Sequence, residues 1–234
     1  MLMEWEPCVW RREGVVVEVR RREVGREVLD AVNAYALRPL ERDEFAVFTL
    51  DLCHNEIDRH FSRFPEEELE TINRLVPGRP LLERHDLHGS LPRGTFFRSR
   101  LHREGDRVSV RPDVYVLRAE ENAGFIRNIE GGVYRETSIG FAFTWPECAV
   151  CGKDLRGCGH QPGRTYEEQL CHYLMRGVTE VLEGSVVSAG SQGTGFVAQE
   201  RHRATQGLGD VGWTSARGLT VALGGGVGSA WAEE

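Results

Sequence analysis

Residues 131–160, GGVYRETSIGFAFTWPECAVCGKDLRGCGH, hold two kinds of chemistry in one run. The first is a hydroxyl: Ser138 sits inside an extended apolar segment. The second is a set of soft metal-ligand side chains: Cys148, Cys151, Cys158 and His160. C-x2-C puts two thiolates on one knuckle, and C-x6-C-x-H adds a third sulfur and an imidazole. Together they make the ligand set of a closed tetrahedral zinc site. The competing accounts are a redox pair or unrelated free thiols. Cys171 is a fifth candidate that could displace Cys158 or His160. A saturated zinc site would be structural, stapling a loop too small to hold itself.

A serine hydroxyl attacks a carbonyl only with a base to take its proton and a group that orients the base. His85 ends a short apolar strand, PLLERHD, in a strand-rich region, whereas His88 and His102 fall in turns or exposed positions. Glu183 lies on the last core strand, TEVLEGSVV, where an acid needs a reason to be. The bland alternatives are a satisfied turn histidine, a solvent-facing glutamate and a strand serine without chemistry. Ser138 lacks the G-x-S-x-G elbow of α/β-hydrolases.

These residues need elements to hold them. In residues 133–145, Tyr134, Glu136, Ser138 and Gly140 alternate with Arg135, Thr137, Ile139 and Phe141. That period of two predicts a strand, started by Gly131-Gly132 and ended by Pro146. Residues 45–52, FAVFTLDL, predict another strand, running into a polar loop that contains His54 and His60. Residues 91–101 and 107–117 predict a hairpin through Glu104-Gly105-Asp106. Helices are expected over 23–37, after Pro65 with Glu66, Glu67 and Glu68 in the first turn, over 119–129, and over 166–175. A short strand is expected over Gly14–Val19. Strand pairs joined by short turns, with helices at irregular intervals, predict an α+β fold with a mainly antiparallel sheet rather than a parallel doubly wound one.

The chain has 234 residues, 40% hydrophobic and 28% charged, enough for one soluble domain with appendages. Its net charge of −7 argues against nucleic acid or a membrane surface as partner. No apolar run is long enough to span a bilayer, and the charged N-terminus has no signal-peptide core, so a cytoplasmic setting is expected. Cys8 and Cys53 are isolated and the other four cysteines are clustered, which suggests a metal rather than disulfides.

Three blocks, in order, resemble the prohead (procapsid) maturation serine proteases of tailed bacteriophages, a family related in fold to herpesvirus assemblin. LLERHDLHGSLPRG resembles the histidine block, with His85 in the position of the catalytic histidine. GGVYRETSIGF resembles the serine block, with Ser138 as nucleophile. EVLEGSVVSAGSQ resembles the E-x-S-x-V block, with Glu183 as the acidic partner. Upstream, NEIDRH resembles the N-x-I/V-D-R-D/H of a subgroup that carries a C-x-x-C-G…C-x-H insert after the serine strand. The similarity covers roughly residues 28–199. Two departures stand out: Arg84 replaces the usual Asp or Asn before the histidine, and Gly190-Ser191 replaces a Pro-Ala.

The resemblance implies a barrel-like, assemblin-like core over 45–200 with a zinc-binding insert at 146–172, preceded by an extension over 1–44; residues 201–234, poor in packing signals and rich in glycine, are expected to form a flexible tail. It implies a serine endopeptidase that cleaves scaffold or capsid protein inside the procapsid, in the host cytoplasm, with homo-oligomerisation compatible. A catalytically silent, protease-like capsid assembly factor is the alternative. A zinc-knuckle nucleic-acid adaptor is disfavoured by the negative charge.

Overall fold

The computed structural model describes residues 24–197, together with the backbone of two short paired strands, β1 (Trp10–Arg12) and β2 (Val15–Val17). The tail expected over 201–234 and Cys8 lie outside the described residues. Residues 24–197 all belong to one unit of the chain.

The elements follow in order: α1 (Arg26–Asn33), β3 (Phe45–Thr49), β4 (Cys53–His54), β5 (Ser62–Arg63), α2 (Glu66–Leu75), β6 (Pro80–Glu83), β7 (Gly94–Glu104), β8 (Arg107–Leu117), α3 (Ala123–Glu130), β9 (Glu136–Cys148), β10 (Thr165–Tyr166), β11 (Gln169–Leu170) and β12 (Tyr173–Val187). The architecture is α+β with a sheet-dominated core. The main sheet runs β3-β8-β7-β6-β12-β5, with β4 also on β8 and β9 also on β12. Pairing is antiparallel except where β12 lies parallel to β5 and β6.

The strands do not close into a barrel. Between β9 and the end of β3 there is no ladder. The return segment crosses that gap through two isolated bridges, Glu136 to Gly195 and Leu50 to Phe196.

The core lies between the sheet and its helices. Leu69 and Ile72 of α2, with Val76 just beyond it, are fully buried and meet Phe96, Val110, Val114 and Val181 from the strands. This is the i, i+3 stripe of a helix against the alternation of a sheet. The three glutamates of the first turn of α2 face the positive end of its dipole. One of them also repairs the sheet. β12 shifts register between Val178 and Glu180, and Glu68 accepts the Gly177 and Val178 N–H groups at 2.7 and 2.9 Å.

Three expectations are corrected. β9 does not stop at Pro146 but continues to Cys148. The Cys148 N–H, two residues on and facing the same way, turns to Lys153 O rather than to β12, so the donor that proline lacks falls on the open side. Residues 166–175 are not helical: Glu167 and Glu168 take φ of 47° and 69° in a tight turn between β10 and β11, and Tyr173 begins β12. His54 is not in a loop. It is buried on β4, where its ring and backbone are clamped by Gln192, and burial lowers its pKa.

Candidate active site and metal centre

β6, β9 and β12 bring the predicted residues together. β12 is central: β6 lies on one side of it and β9 on the other. Ser138 of β9 stands directly opposite Ser185, and Gly140 opposite Glu183. Opposed residues share a face of the sheet, so Ser138, Gly140, Glu183 and Ser185 form one patch. Thr137, Ile139 and Phe141 take the other face, Thr137 buried and the other two packed on the core.

A bulge puts Glu183 in that patch. The β9–β12 register slips between Val181 and Glu183, leaving Leu182 unpaired. An extra residue in one strand re-aims the side chain that follows it. The Glu183 side chain is 1% exposed. It has room because position 140 is glycine: a Cβ there would run into Oε1 of Glu183.

His85 arrives from β6. After Glu83 the chain passes through Arg84 and His85, both left-handed with φ of 65° and 52°. Non-glycine residues seldom adopt this conformation, and such strain gathers at functional sites. Arg84 N–H bonds Val186 O at 3.0 Å, and His85 N–H bonds Ser185 Oγ at 3.0 Å, so the irregular turn is stitched to β12. The ring then reaches the carboxylate, with Nδ1 2.6 Å from Glu183 Oε1. That hydrogen bond raises the His85 pKa, against partial burial, which lowers it. The anionic partner fixes the tautomer with the proton on Nδ1 and leaves Nε2 to act.

His85 and Glu183 are thus joined, and Ser138 lies one strand away on the same face. Ser138 Oγ makes no hydrogen bond to His85. It is half-buried and borders a cleft of about 240 Å³ that is walled by Phe64, Phe141, Phe143, Tyr173 and Met175, takes in Thr137 and Ile139 from the opposite face of β9, and is lined by neither His85 nor Glu183. Neither His88 nor His102 bonds to any of these three residues.

Sequence reasoning gave no role to Ser185 or Gly140. Both stand in the blocks already quoted, Ser185 two residues after Glu183 and Gly140 two after Ser138. The spacing of two on a strand was the available signal, since it puts each on the face of its neighbour.

The second cluster lies at the other end of the β9–β12 pair. Cys148, Cys151, Cys158 and His160 bring their ligand atoms within 4.8 Å of one another. Cys148 Sγ and His160 Nδ1 are 3.6 Å apart. Zinc bonds of about 2.3 Å to sulfur and 2.0 Å to nitrogen would set tetrahedral edges of about 3.5–3.8 Å, so these residues fit a metal ion of that size. The His160 ring is braced edge-on by Tyr166 at 4.6 Å between centroids. Burial opposes ionisation of Cys148, but the N–H groups of Cys151 and Val150 and the side chains of Cys151 and Cys158 together outweigh it and bring the thiol to about 7. Cys171 stands outside the four; burial and the neighbouring Cys148 push its thiol up to about 11.

The insert touches the wall of the cleft. The Tyr173 N–H bonds Phe61 O at 2.9 Å, and the Phe61 ring lies where a side chain at Gly163 would have to go.

No helix among the described residues is long and apolar enough to cross a membrane. Comparison with protein-family models, with curated proteins and with solved structures returns no match.

Proposed function

We propose that the chain is a serine endopeptidase of the prohead-protease type, with an assemblin-like core. One observation carries this reading: His85 Nδ1 is held at 2.6 Å by a carboxylate that is 1% exposed and that shares its face of the β9–β12 pair with Ser138. A buried carboxylate hydrogen-bonded to a half-exposed imidazole with a raised pKa is the kind of pair found at functional sites.

In this scheme His85 Nε2 takes the proton of Ser138 as Oγ attacks the scissile carbonyl. The imidazolium is stabilised by Glu183, and the proton then passes to the leaving amine. Water repeats the sequence on the acyl-enzyme. Substrate binding would draw Ser138 and His85 into contact, as catalytic hydrogen bonds are often loose in a free enzyme.

The Arg84 conformation adds support. Asp and Asn are the residues that best tolerate the left-handed region, and the resembled family has them at this position. The resemblance also supplies the substrate, capsid or scaffold protein inside the procapsid in the host cytoplasm. Zinc is the metal proposed for Cys148, Cys151, Cys158 and His160, in a structural role: the ligand set leaves no open position, and the cluster lies at the far end of the strands from Ser138.

The test is co-expression with a phage major capsid or scaffold protein offered as substrate. Wild type should convert that protein to a shorter form, and Ser138→Ala should leave it intact. Equal conversion by both would remove the serine mechanism. Binding of capsid protein by both, without conversion, would leave a silent, protease-like assembly factor as the better account.

A further inference from the structure

A carboxylate as buried as that of Glu183 needs partners for both oxygens. His85 Nδ1 takes Oε1. The partner of Oε2 is Ser185 Oγ, and this hydroxyl, itself fully buried, also receives the backbone N–H of His85 at 3.0 Å. The polarity is forced. A hydroxyl has one proton and two lone pairs. The His85 N–H can only donate, so it uses a lone pair, and a carboxylate can only accept, so the hydroxyl proton goes to Glu183. One side chain therefore fixes both the orienting carboxylate and the backbone of the histidine it orients. Across the sheet, Gly140 does the complementary task by leaving empty the volume that the carboxylate fills.

We propose that Ser185 and Gly140 are positioning residues that together form the seat of the His85–Glu183 pair. Neither touches the scissile bond. Ser185 holds β6 and β12 in the one arrangement that directs Nε2 over the face of Ser138, and Gly140 prevents β9 from expelling Glu183 from it. This rests on the peptidase reading for its catalytic consequence, but the seat can be measured without turnover.

The experiment uses the full chain labelled with ¹⁵N-histidine. In wild type, His85 should show the Nδ1–H tautomer and a low-field, exchange-protected Nδ1 proton. Ser185→Ala should lose that proton and mix the tautomers, whereas Ser185→Thr, which keeps the hydroxyl, should retain both. Gly140→Ala should lose the signature from the opposite strand, and it carries the same test should Ser185→Ala fail to fold.

On capsid-protein cleavage, Ser185→Ala should lower kcat on the order of tenfold to a hundredfold with KM unchanged, the loss expected for one charge-assisted hydrogen bond. In a Glu183→Ala background, Gly140→Ala should cost nothing more, because it acts through that carboxylate, and Ser185→Ala should cost less than it does in wild type, because only its bond to the His85 N–H remains to be lost. An unchanged Nδ1 signature in Ser185→Ala and Gly140→Ala would overturn the seat. So would losses that multiply fully in the Glu183→Ala background. A wild type that shows the signature but cleaves nothing would count against the peptidase reading alone.

Discussion

Ser138 and Ser185 stand directly opposite each other across the β9–β12 pair, and Ser185 is bonded to both halves of the His85–Glu183 unit. The nucleophile candidate and the orienting machinery are therefore separated by a single strand spacing. Removal of Ser138 Oγ or of the His85 imidazole should each abolish capsid-protein cleavage. Glu183→Gln should keep about a hundredfold more activity than either, since nucleophile and base both survive. Single-turnover cleavage by the three variants checks the order. A Glu183→Gln enzyme as dead as Ser138→Ala would mean that the carboxylate has some role beyond orientation.

The pH dependence has a defined sign. The hydrogen bond to Glu183 raises the His85 pKa, and His85 must be neutral to accept a proton. Activity should therefore rise with pH through a midpoint above the ordinary histidine value of about 6.5. Glu183→Gln should move that midpoint down. Stability runs the other way. The raised folded pKa gives a contribution that is complete below the unfolded value and is lost as pH rises through the folded one. The stability cost of Glu183→Gln should thus be greater at pH 5 than at pH 9, by chemical denaturation at both. A cost that grows with pH would reverse the assignment.

Arg84 offers a test of the turn itself. Its φ of 65° is uncomfortable for a long side chain and easier for asparagine or glycine. Arg84→Asn should keep activity and raise stability by up to about 1 kcal/mol. Denaturant midpoints with an unchanged slope would measure this. A clear loss would mean that the Arg84 side chain has a role in holding the turn.

How far the sequence could be read depended on the range of the interaction. The β7–β8 hairpin and the buried stripe of α2 are local patterns of period 2 and 3.6, and they form close to where those patterns place them. Residues 166–175 mislead because Glu, Gln, Leu and Met favour a helix. The burial of Cys171 and the pairing of Tyr173 with Cys148 override that preference. The four metal-ligand candidates were legible because they lie within thirteen residues. The bulge at Leu182 was not, since a register slip exists only between two strands. For the same reason, nothing near Gly140 in the chain announces a carboxylate from a residue more than forty positions away. His85 and Glu183 were joined by resemblance, and the distance between them became a fact only with the fold.

The metal site should matter to the cleft without taking part in the chemistry. Cys148 ends β9 and Tyr173 begins β12, so the insert closes the far end of the two strands that carry Ser138 and Glu183. Tyr173 and Gly163 meet Phe61, next to β5, whose Ser62 borders the cleft. Stripping the metal with a chelator should therefore release residues 148–172 first and the 58–63 loop with them. The β7–β8 hairpin, held by its own ladder and by α2, should stay protected. Hydrogen exchange before and after chelation reads this directly, with elemental analysis giving about one zinc per chain beforehand. Cys148→Ser with Cys151→Ser should reproduce the pattern without a chelator. Exchange confined to 148–172, with the 58–63 loop unchanged, would show that the insert is a staple with no hold on the cleft. Loss of protection across β7 and β8 would instead make the metal a condition of the whole fold.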